Sequence, residues 1–208
     1  MIEIRNINKK NKDHVILKNI KLTVGKGICV GLIGHNGSGK TMLLKAICGF
    51  TKIDSGEIWV DGQQIIFSEK YIRNAGVIIE QPPFINYMTG MDNLLLLAKI
   101  QKKISKQDIL LTLKKVGLSD AKDKKVKEYS LGMKQRLRIA QAIMEHPQIL
   151  ILDEPFNGLD KDSIKDIQNL ILDYKNKGVT IILTSHDDRQ INYLCDLVYE
   201  LNGGELVE

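Results

Sequence analysis

A glycine-rich stretch near the start of the chain, GHNGSGKT at residues 34–41, carries the clearest chemistry in the sequence. It fits the pattern G-x-x-x-x-G-K-S/T, in which backbone N–H groups surround a phosphate. In such a loop Lys40 contacts the β- and γ-phosphates, and the hydroxyl of Thr41 coordinates Mg²⁺. The stretch therefore predicts a nucleoside triphosphate site formed by Gly34, His35, Asn36, Gly37, Ser38, Gly39, Lys40 and Thr41.

Two adjacent acids provide the second half of such a site. In LILDEP, Asp153 follows four apolar residues and so projects from the end of a buried strand. A magnesium-binding aspartate stands at that place in phosphoryl-transfer sites of this kind. Glu154, the next residue, is placed to polarise a water molecule for attack on the γ-phosphate. We therefore predict that Asp153 binds the metal and that Glu154 is catalytic, together with Lys40 of the glycine-rich loop.

A histidine ends another apolar stretch, VTIILTSH. Because the carboxyl ends of parallel strands meet at one edge of a sheet, His186 is expected at the edge that carries the two acids. A strand-end histidine by itself is more often structural. Beside the two motifs above, we expect His186 to be catalytic, bridging the γ-phosphate and the attacking water.

The elements around these motifs indicate an α/β fold. Apolar strands alternate with helical segments, which predicts a P-loop NTPase core with a mainly parallel sheet. The β-rich start of the chain predicts a small antiparallel β subdomain beside the core. From about 84 to 145 the pattern is helical, with hydroxyl and acid pairs typical of helix starts, and predicts an inserted helical subdomain.

The composition is that of one soluble domain spanning residues 1–208. The net charge of +5 permits a nucleic acid or anionic membrane partner, but a solvated lysine-rich face is the more ordinary interpretation. The three scattered cysteines form neither a disulfide framework nor a zinc pattern. No secretory signal is evident, and the apolar runs are far below the roughly 20 residues that span a bilayer.

The order of GHNGSGKT, YSLGMKQRL, LILDEPFNGLD and TSH resembles the ATP-binding subunit of an ABC transporter, over essentially the whole chain. The resemblance implies ATP and Mg²⁺ as ligands, and two subunits that close head to tail around two nucleotides. It implies that Ser130 and Gly132 contact the γ-phosphate held by the other subunit, and that Asp160 contacts the opposite site. In this chain Leu131 and Met133 replace the usual first glycine and glutamine of the signature.

Two further positions depart from the pattern of the family. The aromatic residue that usually stacks on adenine is missing from NKKNKDHVIL, so Val15 is expected to pack against the base, with His14 as a weak alternative. The usual glutamine after the strand AGVII is replaced by the neighbours Glu80 and Gln81. Family spacing, counted back from Thr89, favours Glu80 as the nucleotide-site and metal residue, with Gln81 left as the alternative.

The resemblance also implies the partners. We expect a transmembrane permease subunit encoded elsewhere, a homodimer or a heterodimer with a related ATPase, no nucleic acid, and a cytoplasmic position on the inner face of the membrane. YSLGMKQRL and VIIEQPPF resemble exporter ATPases of the bacitracin-resistance and lantibiotic-immunity type. The alternatives are a soluble ABC ATPase acting on DNA, ribosomes or cluster assembly, and a nucleotide-gated binding module with weak turnover.

Overall fold

The computed structural model describes residues 1–12 and 14–207. The strands within these residues are β1 (Ile2–Asn11), β2 (His14–Val24), β3 (Cys29–Ile33), β4 (Ser55–Val60), β5 (Gln63–Gln64), β6 (Ala75–Ile78), β7 (Ile149–Leu152), β8 (Thr180–Thr184), β9 (Leu197–Asn202) and β10 (Glu205–Val207). The helices are α1 (Lys40–Cys48), α2 (Gly90–Gln101), α3 (Lys106–Lys115), α4 (Leu131–Ile143), α5 (Lys161–Asn176) and α6 (Asp188–Leu194). Short 3₁₀ helices cover Ser119–Ala121 and Val126–Glu128.

The main sheet has six strands in the order β10-β9-β3-β8-β7-β6. The contacts from β9 to β6 are parallel, and only the final pair, β10 with β9, is antiparallel. Every residue of β7 and β8 is buried, as expected for parallel strands that are covered on both faces. The chain leaves β3, β7 and β8 at the same edge of this sheet, and the three motifs follow those strands.

A second sheet, in the order β2-β1-β4-β5, is antiparallel. Asp61 and Gly62 connect β4 and β5 with positive φ angles of 47° and 79°, the conformation of a two-residue hairpin turn. Helix α1 lies between the two sheets, because Leu44 shares one buried cluster with Ile20 of the antiparallel sheet and Ile182 of the main sheet. This packing fixes the helix that follows the glycine-rich loop.

The remaining helices cover the other face of the main sheet and share one apolar cluster with it. Helix α4 crosses β6 very closely, since a Cβ atom added to Gly76 would stand 1.9 Å from the carbonyl oxygen of Ala142. Helix α3 starts with a reciprocal capping box between Ser105 and Asp108, and at α2 the side chain of Thr89 accepts a bond from the Asp92 N–H. The close crossing holds α4 against the core.

The sequence expectation of an α/β core with a mainly parallel sheet, an antiparallel sheet and added helices is confirmed. A single domain over 1–208 and a helical subdomain at 84–145 stay predictions. Among residues 1–12 and 14–207, none of the helices has the length and apolar character required to span a lipid bilayer.

Candidate active site

The glycine-rich loop connects β3 to the first residue of α1, Lys40. Its last residue, Gly39, has φ 106°, and an added Cβ atom would stand 2.8 Å from the carbonyl oxygen of Ile16, so only glycine fits. The Lys40 ammonium is folded onto the loop, where it donates to the carbonyl oxygens of Gly34 at 2.6 Å and His35 at 3.1 Å. The cation is therefore held at the start of the helix, beside N–H groups that an α-helix leaves unpaired.

The other loop residues form its outer turn. The Nδ1 atom of His35 lies 2.9 Å from the carbonyl oxygen of Asn36. An added Cβ atom on Gly37, which has φ 82°, would meet nothing within 4 Å. Ser38 is 5% exposed, and its Oγ atom has no hydrogen-bond partner among the described residues. A buried hydroxyl without a partner fits a loop whose polar groups are completed by a bound ligand.

Asp153 joins the loop helix to two strands of the sheet. Its Oδ2 atom accepts from the Thr41 hydroxyl at 2.8 Å, and its Oδ1 atom accepts from the Thr184 hydroxyl, also at 2.8 Å. The carboxylate is 8% exposed. Magnesium prefers oxygen ligands and is commonly held by one or two protein groups together with phosphates and water. The Thr41 hydroxyl and the Asp153 carboxylate are a donor set of this kind.

Glu154 and His186 form the outer pair of the site. Glu154 Oε2 lies 2.9 Å from His186 Nδ1, with the glutamate side chain 24% exposed and the histidine side chain 68% exposed. Glu154 has φ 49°, an uncommon value for a residue other than glycine, and its N–H donates to the Thr184 hydroxyl at 2.9 Å. The structure thus brings the predicted catalytic residues Glu154 and His186 together at the edge of the main sheet.

An open cleft of 440 Å³ separates the glycine-rich loop from the histidine loop. It is lined by Ile33, Gly34, His35, Asn36, Ser185, His186, Asp188 and Glu200. The imidazole of His186, which is paired with Glu154, thus lines the cleft opposite the glycine-rich loop, an arrangement that suits attack on a bound phosphate by water.

The predicted signature residues have their contacts away from this cleft. Ser130 caps α4 by accepting from the Met133 N–H at 3.2 Å, and Asp160 caps α5 by accepting from the Ser163 N–H at 2.8 Å. Hydrogen bonds from the backbone and side chain of Ser163 hold the pKa of the Asp160 carboxyl below its ordinary value. A Cβ atom on Gly132 would stand 3.1 Å from the carbonyl oxygen of Gly158, so the two loops pack against each other.

Glu80 lies close to the loop helix, with its Oε1 atom 2.5 Å from the Nζ atom of Lys45. Lys45 is one helical turn beyond Thr41 and therefore lies on the same face of α1. Gln81 is exposed. These placements support Glu80 over Gln81 as the residue beside the metal ligands, an assignment that stays a prediction.

The predicted base-packing residue, Val15, lies near the start of β2 and is 36% exposed. The next residue, Ile16, contacts Gly39 of the phosphate loop through its carbonyl group. His14 is exposed. The start of β2 is thus close to the phosphate loop. An adenine base packed against Val15 would remain partly exposed to solvent.

Sequence reasoning missed two polar residues that organise the site. The hydroxyl of Thr184, which is fully buried, contacts both Asp153 and the backbone of Glu154. Gln135 on α4 donates to the carbonyl oxygen of Pro155 at 2.9 Å. Thr184 could have been found as the last residue of a buried strand, directly before the predicted histidine loop, whereas no local pattern points from Gln135 to Pro155.

Comparison with protein-family models gives a match to the family described as ABC transporter, over residues 17–157. The chain belongs to the ABC transporter family. It is one of the ATP-binding subunits of that family, an ABC ATPase. The resemblance derived from the motifs is therefore confirmed.

Curated relatives cover nearly the whole of this ABC ATPase. An uncharacterized ABC transporter ATP-binding protein of Bacillus subtilis, YybJ, is 44% identical over 206 residues, covering 99% of this chain and 94% of its own. The lantibiotic transport ATP-binding protein SrtF of Streptococcus pyogenes is 36% identical over 207 residues, covering 100% and 89%. The bacitracin transport ATP-binding protein BcrA of Enterococcus faecalis is 39% identical over 217 residues, covering 100% and 68%.

Solved structures confirm the fold. A dimeric bacterial ABC transporter cassette superposes with a TM-score of 0.89 at 24% identity, covering 100% of this chain and 97% of that chain. The ADP conformation of another ATP-binding cassette superposes with a TM-score of 0.83 at 28% identity, covering 100% and 89%.

Proposed function

We propose that this ABC ATPase binds and hydrolyses Mg-ATP to drive export by a separate transmembrane permease. The proposal rests on two neighbouring contacts at the edge of the main sheet, made by the adjacent residues Asp153 and Glu154. The Thr41 hydroxyl bonds Asp153 at 2.8 Å, and the next residue, Glu154, bonds His186 at 2.9 Å. A metal-binding pair and a proton-accepting pair thus stand side by side behind the phosphate loop.

The phosphate loop supplies the binding energy for the triphosphate. The Lys40 ammonium exchanges its bonds to the Gly34 and His35 carbonyl oxygens for charged bonds to phosphate, which are the stronger kind. The N–H groups of the loop and of the first turn of α1 add further donors, and the helix dipole favours an anion at this end. The Thr41 hydroxyl and the Asp153 carboxylate hold Mg²⁺, which supplies charge neutralisation at the phosphates when bound.

Glu154 and His186 act on the attacking water. The carboxylate of Glu154 accepts a proton from the water and orients its oxygen toward the phosphate. The Nδ1 atom of His186 lies 2.9 Å from Oε2 of that carboxylate, and the imidazole bridges the γ-phosphate and the attacking water. The Thr184 hydroxyl keeps the backbone of Glu154 in place through a 2.9 Å bond to its N–H.

A second copy completes each site. Ser130 and Gly132 lie at the N-terminus of α4, where a hydroxyl and backbone N–H groups can bind an anion. Within one chain, Gly132 lies against the carbonyl group of Gly158, and the Ser130 hydroxyl caps α4. Two copies arranged head to tail bring the signature of one over the nucleotide of the other, with Asp160 facing the opposite site. The copies are two of this chain, or one with a related ATPase.

The permease partner and the export direction rest on the relatives. SrtF and BcrA are named for transport of lantibiotics and of bacitracin, and this chain is 36% and 39% identical to them. An ATPase that drives such a permease works at the inner face of the membrane, attached through its partner. No nucleic acid partner is proposed.

Steady-state ATP hydrolysis tests the proposal. Wild-type protein in Mg²⁺ is expected to hydrolyse ATP, and Glu154→Gln is expected to bind ATP with a turnover lower by roughly 10²-fold or more, because the general base is lost. Gln107→Glu, an exposed change of the same size on α3, is the matched control and is expected to leave turnover unchanged. Undiminished hydrolysis in Glu154→Gln would contradict the assigned role.

A further inference from the structure

A buried glutamine of α4 contacts the backbone directly after the proposed general base. The Nε2 atom of Gln135 donates to the carbonyl oxygen of Pro155 at 2.9 Å and lies 3.5 Å from that of Glu154. Gln135 is 3% exposed, so its amide is shielded from competing water. Removal of this donor leaves a buried carbonyl group unsatisfied, which nearby backbone can relieve only by moving.

The amide of Gln135 is oriented by Arg138, three residues further along the same helix. The Nη1 atom of Arg138 donates to Gln135 Oε1 at 3.0 Å. Because a guanidinium group only donates hydrogen bonds, this contact assigns the amide oxygen to Arg138 and the NH₂ group to Pro155.

Arg138 is itself unusually placed. It is 7% exposed, and its Nε atom has no hydrogen-bond partner among the described residues. Burial lowers the pKa of the guanidinium below its ordinary value. A buried cation that contacts an amide rather than a carboxylate disfavours folding, which indicates that its contact with Gln135 has a role other than stability.

The residue that receives this support has a constrained backbone. Glu154 has φ 49°, and a residue other than glycine stays in this region only where its surroundings fix it. The hydroxyl of Thr184 accepts from its N–H on the sheet side, and Gln135 donates to the carbonyl oxygen of the next residue, Pro155, on the helix side. The direction of the carboxylate toward His186 therefore depends on both contacts.

We propose that Gln135, oriented by Arg138, is a positioning residue for Glu154 in ATP hydrolysis. It fixes the Glu154–Pro155 segment and thereby the direction in which the carboxylate meets water. Because Ser130 caps the start of α4, the same helix connects the signature of a chain to the proposed general base of that chain. The inference rests on the proposed function of Glu154.

The first test replaces the amide by an apolar group of similar length. Gln135→Met is expected to lower kcat by at least about tenfold while KM for ATP stays within about twofold, because a small misplacement affects the transition state more than binding. Gln141→Met, the same change six residues further along α4, is the matched control and is expected to retain wild-type kcat. A kcat of Gln135→Met within twofold of wild type, or a parallel loss of kcat and ATP affinity, overturns the proposal.

The orienting role of Arg138 has its own test, which also decides the matter if Gln135→Met does not fold. Arg138→Met is expected to lower kcat at unchanged KM, and Arg138→Lys, which still donates to Oε1, is expected to restore part of it. Gln135→Glu keeps an acceptor for Arg138 but has no donor for Pro155, and is expected to behave like Gln135→Met. Equal kcat values in Arg138→Met and wild type would overturn the orienting role.

A double variant separates this inference from the function on which it rests. If Gln135 acts through Glu154, adding Gln135→Met to Glu154→Gln should not lower the residual turnover further. The reason is that substitutions of residues that act as one unit have non-additive effects. Full turnover in Glu154→Gln alone defeats the proposed function. If Glu154→Gln has low residual turnover and Gln135→Met lowers that turnover further by its full single-variant factor, only the positioning role is contradicted.

Discussion

At the scale of single residues, the site depends on charged groups whose partners are known. Lys40 bonds two carbonyl oxygens of its own loop, and Asp153 bonds two hydroxyls. Val15, by contrast, offers only an exposed aliphatic surface beside the loop. We therefore propose that fixed polar groups recognise the phosphate end of a nucleotide and that a weak apolar contact with Val15 holds the base.

Loss of the loop cation is expected to remove tight nucleotide binding. A hydrogen bond to a charged group contributes about 1.5–3 kcal/mol, so Lys40→Ala should weaken ATP binding more than tenfold. Calorimetric titration measures this directly. Lys114→Ala removes an exposed lysine of α3 and serves as the charge-matched control. Near-normal affinity in Lys40→Ala would remove the basis for the phosphate-loop assignment.

Weak discrimination between ATP and GTP is expected from the aliphatic base contact. Stacking of a base on an aromatic ring contributes about 1–3 kcal/mol, and Val15 lacks a ring. Val15→Tyr should therefore tighten binding of nucleotides, whereas Val15→Leu should not. Competition between the two nucleotides in an affinity measurement provides the readout. A hundredfold preference for ATP in the wild type would show that another group, such as His14, replaces the stack.

At the scale of elements, loops after neighbouring strands bring remote residues to the phosphate helix. The loop after β6 turns at Glu80, which has φ 61°, and places its carboxylate against Lys45 of α1. The loop after Gly158 leads into α5, with Asp160 at its cap. Substitutions at Glu80 and Asp160 should separate effects on the nucleotide site from effects on the stability of the loop or helix that carries the residue.

Glu80→Ala is expected to uncouple ATP hydrolysis from transport, while Gln81→Ala has little effect. A carboxylate about 5 Å from the γ-phosphate is repelled by roughly 3 kcal/mol at an effective dielectric of 20. Glu80 should therefore also make nucleotide binding more dependent on Mg²⁺, which offsets this repulsion. The measurement is permease-stimulated hydrolysis and export across a Mg²⁺ titration. If Gln81→Ala is damaging and Glu80→Ala is silent, the assignment is displaced by one residue.

Helix α5 should lose stability when its cap is removed. The folded pKa of Asp160 is depressed, so its contribution is fully present above the unfolded pKa of about 3.9 and is lost as the pH falls through the lower folded value. Asp160→Ala should unfold at a lower urea concentration than wild type from pH 8 to 5, and the difference should shrink below pH 4. Asp160→Asn, which still caps a helix, should remain close to wild type at neutral pH. An equal loss in both variants would contradict the capping role.

At the scale of the whole molecule, the residues of the proposed two-copy site lie on separate surfaces of one chain. The cleft beside the phosphate loop is lined from β3, the histidine loop and β9, whereas Ser130 and the 58% exposed Leu131 stand at the start of α4. In the proposed dimer, the start of α4 in the second copy covers the cleft of the first.

Glu154→Gln is expected to accumulate as a dimer in Mg-ATP. Blocked hydrolysis keeps the nucleotides that join the two copies, so light scattering should show twice the monomer mass. Lys40→Ala, which binds no nucleotide tightly, should remain monomeric under the same conditions. A monomeric Glu154→Gln with bound ATP would contradict the two-copy site.

The sequence by itself determined the phosphate loop, the two acids and the class of fold. Their signals are local, because a glycine pattern between a buried strand and a helix fixes backbone geometry within eight residues. The turn at Asp61 and Gly62 and the cap at Ser105 can be predicted from the sequence for the same reason.

Only the tertiary structure decided which residues support these groups. Apolar strands read alike in sequence, so nothing in their patterns placed β8 between β3 and β7 and thereby set Thr184 against Asp153. The same holds for Gln135, whose contact with Pro155 arises where α4 packs against the core. Bonds between residues far apart in sequence depend on strand order and helix packing, and this is the physical reason that local patterns leave them open.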